Sequence, residues 1–402
     1  MEDKKQDDEK EKKVSEVRCK GFTEEKKPKI RFAGFTDDWQ QCKLKDLAEF
    51  NPKSVLPDEF EYVDLESVVG TEMISHRTET KETAPLRAQR LAQTGDLFYQ
   101  TVRPYQKNNY LYEMPEDNYV FSTGYAQMRP YGCGRFLLSL VQTDSFVNTV
   151  LEHCTGTSYP AINSNDLSNI EVYSTSDKAE QKQIGDFFKN LDNLITLYQR
   201  KCNELKEVKK YMLQKMFPKN GETKPEIRFN GFTGDWEQKK LCEICNYIST
   251  NLTVKDIEKN GTVDLYDANG IIGKTTKNVQ NRDYITIIKD GAGVGRVRLL
   301  SKNTSFISTM GAISTNNNSI EFLYYLISII DFKKYIKTGT IPHIYFSEYG
   351  DEIIQLPSYE EQEKIGKFFY NLDNLISLYQ RKCDELKKVK KYMLQNMFPR
   401  MS

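Results

Sequence analysis

The stretch EQKQIGDFFKNLDNLITLYQRKCNELKEVKKYMLQKMFP, residues 180–218, returns as EQEKIGKFFYNLDNLISLYQRKCDELKKVKKYMLQNMFP at residues 361–399, identical at 31 of 39 positions. A shorter block is repeated too: KPKIRFAGFTDDW at 27–39 reads KPEIRFNGFTGDW at 224–236, identical at 10 of 13. Repetition at so long a period defines architecture before any local pattern does. The chain is one unit built twice: a lead-in, a variable segment and a conserved segment. The short blocks lie 197 positions apart and the long ones 181, so the variable segments differ in length. They have diverged nearly everywhere. Faint echoes survive near their ends, where Thr155-Gly156-Thr157 with Pro160 matches Thr338-Gly339-Thr340 with Pro342.

The conserved segment reads as a helix. Apolar or semi-apolar residues fall at Ile184, Phe188, Leu191, Ile195, Tyr198, Cys202, Leu205 and Met212, and again at Ile365, Phe369, Leu372, Ile376, Tyr379, Cys383, Leu386 and Met393. Steps of four and three alternate, the period of a coiled-coil seam, with a break at Lys209. No proline interrupts either run, and Pro218 and Pro399 each stop it. About 36 residues make a rod of roughly 54 Å. Two matching seams in one chain are expected to bury each other. The short linker at 219–223 makes the pair antiparallel, with one globule at each end.

Identity between the copies extends to polar positions that a seam does not need: Asn190, Asn193, Gln199, Arg200 and Lys201, repeated as Asn371, Asn374, Gln380, Arg381 and Lys382. One explanation is that both helices show the same surface to two copies of one partner. Recent exchange between the two segments at DNA level is another, and the two are compatible.

The variable segments mix short β-rich runs with Gly and Asn punctuation, as in Asp96–Val102, Tyr284–Ile288 and Gly295–Leu300, and a more helical stretch runs from Glu321 to Lys337. The fold class is α+β, each variable domain being built around a twisted or partly closed sheet. Basic and aromatic residues gather in the turns. In the first domain these are Arg103, Tyr105, Gln106 and Lys107, with Thr123 and Tyr125 further on; in the second they are Lys289, Arg296 and Arg298, with His343 and Tyr345. Arg and Lys suit guanine edges or phosphates, and Gln suits adenine.

The chain of 402 residues is too long for one ordinary domain and long enough for two with proper cores. No apolar run approaches the roughly 18 residues of a membrane span. The charged start lacks a signal-peptide core, which leaves residues 1–26 as a poorly ordered or weakly helical lead-in and the chain expected in the cytoplasm. Its eight cysteines are expected to stay reduced there. Cys242-x-x-Cys245 has no second pair at zinc spacing and reads as structural. The three histidines lack partners for a metal site or a triad. Ala268–Thr275 resembles a phosphate loop but leads into a polar, turn-like stretch rather than a helix. Gly291-Ala-Gly-Val-Gly295 leads into a strand and reads as a tight turn. No catalytic centre, cofactor or metal is expected.

Net charge is zero; residues 27–175 carry 14 basic against 20 acidic side chains, and 224–356 carry 16 against 15. Phosphate neutralisation supplies most non-specific DNA affinity, so this balance argues against tight DNA binding by the chain alone. A DNA reader of this composition needs a partner that adds affinity.

The order variable domain, conserved helix, variable domain, conserved helix resembles the specificity (S) subunit of type I restriction–modification systems. The resemblance runs from about Lys27 to the end. It is carried by Glu180-Gln181 with Ile184, Phe187 and Phe188, by Glu361-Gln362 with Ile365, Phe368 and Phe369, and by the Pro-x-Ile-Arg-Phe-x-Gly-Phe lead-ins. It implies target recognition domains at 27–175 and 224–356 and spacer helices at 176–218 and 357–402. Each domain would read one half of a bipartite site in double-stranded DNA, and the chain itself would be non-catalytic. Two methylation (M) subunits that bind S-adenosylmethionine would dock on the helices, and restriction (R) subunits would complete the complex. The rival class is a two-headed coiled-coil scaffold that binds proteins and no DNA.

Overall fold

The structure, a computed structural model, describes residues 27–156, 158–219, 221–337 and 341–400. The expected lead-in at 1–26, Thr157 of the first Thr-Gly-Thr echo and all of the second, at 338–340, lie outside the described residues. The chain divides into two compact units. The first holds the residues up to Leu197 together with those from Lys382 onward, and the second is Tyr198–Arg381. No described helix is long and apolar enough to cross a membrane.

The first unit contains two four-stranded sheets. One has the order Arg77–Thr80, Glu59–Val63, Tyr119–Ser122, Ala88–Leu91; the other has Ala48–Phe50, Tyr125–Pro130, Leu97–Gln100, Tyr110–Leu111. Only the pairing of Glu59–Val63 with Tyr119–Ser122 is parallel within these two sheets. Leu97–Gln100 is buried along its whole length. Phe98 stacks on Phe121 at 3.7 Å between centroids, with Tyr112 and Tyr125 edge-on around them. Such aromatic packing adds to simple area burial.

The second unit has a four-stranded antiparallel sheet, Asn246–Ile248, Met310–Ser314, Tyr284–Ile288, Val297–Leu300, and a three-stranded one, Ile271–Thr275, Val263–Tyr266, Thr304–Phe306. All these sheets are open, with edge strands. The class is α+β, as the alternating runs indicate. The helical stretch after Glu321 resolves into a helix at Ile320–Ser328 and a 3-10 turn at Phe332–Tyr335.

Two 38-residue helices, Lys178–Lys215 and Tyr359–Asn396, carry the repeated segment. Within each unit their parts run antiparallel. In the first unit Phe188 meets Phe398 at 6.2 Å and Asp192 pairs with Lys390 at 2.5 Å, while Cys383 Sγ lies 4.0 Å from the Ile195 carbonyl. In the second, Tyr198 stacks on Tyr379 at 5.8 Å, Lys209 pairs with Asp373 at 2.6 Å, and Phe217 meets Phe369 at 6.0 Å. The break in the apolar pattern at Lys209 is therefore filled by an ion pair, and Lys390 repeats it. Ile184, Phe188, Leu191, Cys202, Ile365, Phe369, Leu372 and Cys383 are buried. Ile195, Tyr198, Leu205, Ile376, Tyr379 and Leu386 are half-buried, as expected where only two helices cover a seam.

The start of each long helix anchors its own domain by the same four devices. The carboxylate of Glu180, fully buried, accepts from Arg31 Nε and Nη2 at 2.5 and 2.8 Å, and Glu361 accepts from the same two nitrogens of Arg228 at 2.6 and 2.7 Å. Gln181 accepts from the backbone N–H of Cys133, which caps the helix Gly134–Val141; Gln362 accepts from Ser319, which caps Ile320–Ser328. The neighbouring strand pairs Gln40–Lys43 with Glu171–Ser174, and Glu237–Lys240 with Ile353–Leu356, bring the two ends of each variable segment together.

The fourth device is a glycine. A Cβ on Gly185 would sit 2.9 Å from the backbone nitrogen of Phe136, and one on Gly366 would sit 2.7 Å from that of Phe322. Gly185→Ala and Gly366→Ala are each expected to destabilise the unit they belong to by about 1–3 kcal/mol, since overpacking against backbone outweighs the roughly 1 kcal/mol gain in helix propensity. Urea unfolding of each variant tests this, and an unchanged or raised midpoint would refute the close-approach argument.

Candidate nucleic-acid interface

In the first unit the chain leaves the buried strand Leu97–Gln100 into a turn whose two flanking residues are both left-handed: Arg103 at φ 54° and Lys107 at φ 56°. Left-handed backbone costs about 1–2 kcal/mol for a residue with a Cβ, so surrounding bonds must hold it. Arg103 N–H donates to the Pro160 carbonyl at 2.8 Å, and its guanidinium lies 4.3 Å over the Tyr159 ring. Lys107 Nζ donates to the Gln142 carbonyl and to Asp144 Oδ1. That ammonium holds the Asp144 carboxyl below its ordinary range, against burial, which pushes the other way. Tyr105 projects from the tip, half of it exposed, and the Gln106 side-chain carbonyl accepts from Gln100.

Arg103, Tyr105, Gln106 and Lys107 thus share one surface turn. Thr123 is half-buried in the turn that links Tyr119–Ser122 of one sheet to Tyr125–Pro130 of the other. Tyr125 is a correction to the sequence reading. It is fully buried in the aromatic core and its hydroxyl donates to the Asp64 carbonyl, so it presents nothing to a ligand. Its position beside a turn suggested exposure, but it opens a strand whose first four residues are all buried.

In the second unit the corresponding strand, Tyr284–Ile288, is followed by Lys289 and a turn through Gly291, Gly293 and Gly295, all with positive φ, into Val297–Leu300. Gly295 is obligatory on a second ground: a Cβ there would lie 2.5 Å from Phe332 Cβ. Arg296 is exposed, its guanidinium donating to the Ala268 carbonyl, and Arg298 is half-buried, 5.9 Å from the Tyr266 ring centroid. His343 pairs with Asp290, and the Tyr345 ring lies 4.1 Å from the imidazole.

The two turns occupy equivalent places. Val102 bridges to Ala161, which also bridges to Thr155; Asp290 bridges to His343, which also bridges to Lys337. The framework is shared and the side chains it displays are not.

Among the repeated polar residues of the helices, Asn190, Asn193, Arg200, Asn371, Asn374, Arg381 and Lys382 are exposed. Gln199, Lys201 and Gln380 are partly covered: Gln199 donates to Asn203, Lys201 lies 5.6 Å over the Tyr379 ring, and Gln380 accepts from Cys202 Sγ. Sequence reasoning passed over a second repeated feature. Leu194, Val208 and Tyr211 are between 41% and 52% exposed, and their counterparts Leu375, Val389 and Tyr392 between 41% and 59%. The four-three spacing leaves these apolar side chains off the seam, and the structure shows them exposed.

The look-alike motifs are structural. Ile271–Thr275 is a strand following a turn at Asp267–Gly270, with no helix N-terminus there to hold a phosphate. Cys242 is exposed, whereas Cys245 is buried with its thiol pushed up to about 12 by that burial.

A family model described as the type I restriction modification DNA specificity domain matches this chain twice, at residues 36–207 and 233–388. The type I restriction enzyme MjaVIII specificity subunit of Methanocaldococcus jannaschii is 28% identical over 179 residues, 41% of this chain and 42% of that one. A candidate type I specificity subunit of Mycoplasma genitalium is 25% identical over 263 residues, 61% of this chain and 66% of that one. The matched stretch thus spans less than two thirds of either relative. The crystal structure of a type I restriction–modification S subunit from M. genitalium has the same fold, with a TM-score of 0.67 at 16% identity, over 94% of this chain and all of that one. With both matches together covering most of its length, the chain belongs to the type I restriction modification DNA specificity domain family, whose domain it carries twice.

Proposed function

We propose that this chain is the non-catalytic specificity subunit of a type I restriction–modification complex. Residues 27–175 and 224–356 act as target recognition domains, each reading one half of a bipartite, gapped site in double-stranded DNA. The observation that carries this reading is the contrast between the repeated anchors at Glu180 and Glu361 and the unlike turns at 103–107 and 289–298. A protein that reads two different sequences with one scaffold needs that division.

The long helices, 176–218 and 357–402, act as spacer and docking surface for two methylation subunits, which supply S-adenosylmethionine chemistry; restriction subunits join the full complex. The repeated exposed residues Leu194, Val208 and Tyr211, with their counterparts, support two equal docking surfaces, because both helices leave the same apolar side chains open to a partner. Partners that clamp the duplex supply the phosphate contacts that near-neutral heads lack.

Replacing residues 40–175 by the corresponding segment of another such protein, in the host, tests the assignment. Methylated positions are mapped across the genome before and after. One half of the gapped motif is expected to change and the other to persist. A change in both halves, or no motif that depends on this gene, would overturn it in favour of a protein-binding scaffold.

A further inference from the structure

The second unit holds a histidine whose surroundings are built rather than incidental. The backbone around His343 is fixed on both sides. Gly291 N–H donates to the Pro342 carbonyl at 3.0 Å, Ile344 N–H donates to the Lys289 carbonyl at 3.0 Å, and Lys337 N–H donates to the His343 carbonyl at 2.9 Å. The imidazole Nδ1 is hydrogen-bonded to Asp290 Oδ1, and Tyr345 flanks the ring. The side chains of His343 and Asp290 remain 24% and 32% exposed, so the pair lies at the surface and is not a core network. Tyr345 is 51% exposed beside it. Among the described residues Nε2 makes no hydrogen bond.

Chemistry limits what such a group can do. A carboxylate only accepts, so Nδ1 must carry the proton, and in the neutral ring Nε2 is then left with a lone pair. An acceptor held at a fixed point on a surface turn matches the exocyclic amino group of adenine or cytosine, which the major groove presents as a donor. In the first unit the equivalent bridge positions are Val102 and Ala161, which can do nothing of the kind. Instead Arg103 lies over Tyr159 next to them, a donor with an aromatic neighbour where the second unit has an acceptor with one.

We infer that His343 is a base-reading residue of the second half-site, accepting from an adenine or cytosine amino group through Nε2, and that Asp290 is the positioning residue that sets its tautomer. This rests on the reading of the second unit as a DNA recognition domain. Lys289 and Arg296 on the same turn are suited to phosphates and orient the duplex without informing on its sequence.

The test replaces the gene in its host by variants encoding H343A, H343Q, D290N and the H343A/D290N pair, and maps methylated positions across the genome. H343A is expected to relax discrimination at one base pair of one half-site, by about tenfold. D290N is expected to alter the same base pair, because an amide can also donate to Nδ1 and so release the tautomer. The double variant is expected to match H343A alone.

A motif unchanged by H343A would overturn the inference. So would a uniform fall in methylation at an unaltered motif, the pattern of a phosphate contact or of a structural role, and so would changes in both halves. If H343A abolishes methylation altogether, H343Q decides: a purified H343Q chain that melts like the wild type yet supports no methylation would also overturn it. Absence of any gapped motif with the wild-type gene would instead sink the DNA-recognition reading itself, and this inference with it.

Discussion

Glu180→Ala is expected to destabilise the first unit by about 3–5 kcal/mol, the usual consequence of removing one partner from a buried ion pair. The Glu180 side chain is fully covered; it accepts from Nε and Nη2 of Arg31, itself only 13% exposed, and its Oε2 also accepts from Trp39 Nε1 at 3.3 Å. Its loss strands a buried guanidinium and a buried indole N–H together. The second copy differs in a way that sharpens the prediction. Glu361 holds Arg228 in the same bidentate grip, but among the described residues Trp236 Nε1 has no hydrogen-bond partner. Glu361→Ala therefore strands one donor fewer and should cost less by about 1 kcal/mol, the net worth of an ordinary hydrogen bond. Hydrogen exchange measured peptide by peptide reads the two units separately. Equal effects, or a Glu180→Ala loss under 1 kcal/mol, would mean that the junction is held by packing and not by this ion pair.

Phe398→Ala is the second large effect, also about 3–5 kcal/mol, and its interest lies in where it acts. Phe398 comes just after the second long helix, far in sequence from the domain it supports. Its ring lies 5.7 Å from Trp39, 5.5 Å from Phe136 and 6.2 Å from Phe188, all within the first unit. Nearby, the Ile30 N–H donates to the Asn396 carbonyl at 2.9 Å. In the second unit Phe217 does the same work against Trp236, Phe322 and Phe369, and Ile227 N–H donates to the Lys215 carbonyl. Phe398→Ala should speed exchange in residues 30–39 and 134–141 and leave 224–236 and 320–328 protected; Phe217→Ala should do the reverse. Exchange that rises in both units alike after either change would show that the cores do not depend on these rings individually.

Most of the architecture lies open in the primary sequence, because repetition and period are properties of order alone. The two helices, their seam from Ile184 to Leu205 and from Ile365 to Leu386, and the α+β character of the variable segments follow from spacing and residue type. Exposure does not. Tyr125 beside a turn and Tyr105 within one are the same residue type in similar company, yet one is core and the other surface, since Tyr125 opens a strand that the fold covers on both faces and Tyr105 sits in a short surface turn. Spacing does separate Leu191, on the seam, from Leu194, off it, and the structure bears this out, with Leu191 buried against its unit's core and Leu194 exposed.

Long-range partners are still less legible. Nothing local in residues 290 and 343, or 31 and 180, announces that each pair shares a hydrogen bond, because their distance in sequence carries no information about their distance in space. What order by itself determined is the duplicated plan and the period of its helices. What only tertiary structure decided is which repeated residues are anchors, which are surface, and that one histidine is held by one carboxylate, because burial and pairing are made by chain segments that meet only when the whole fold closes.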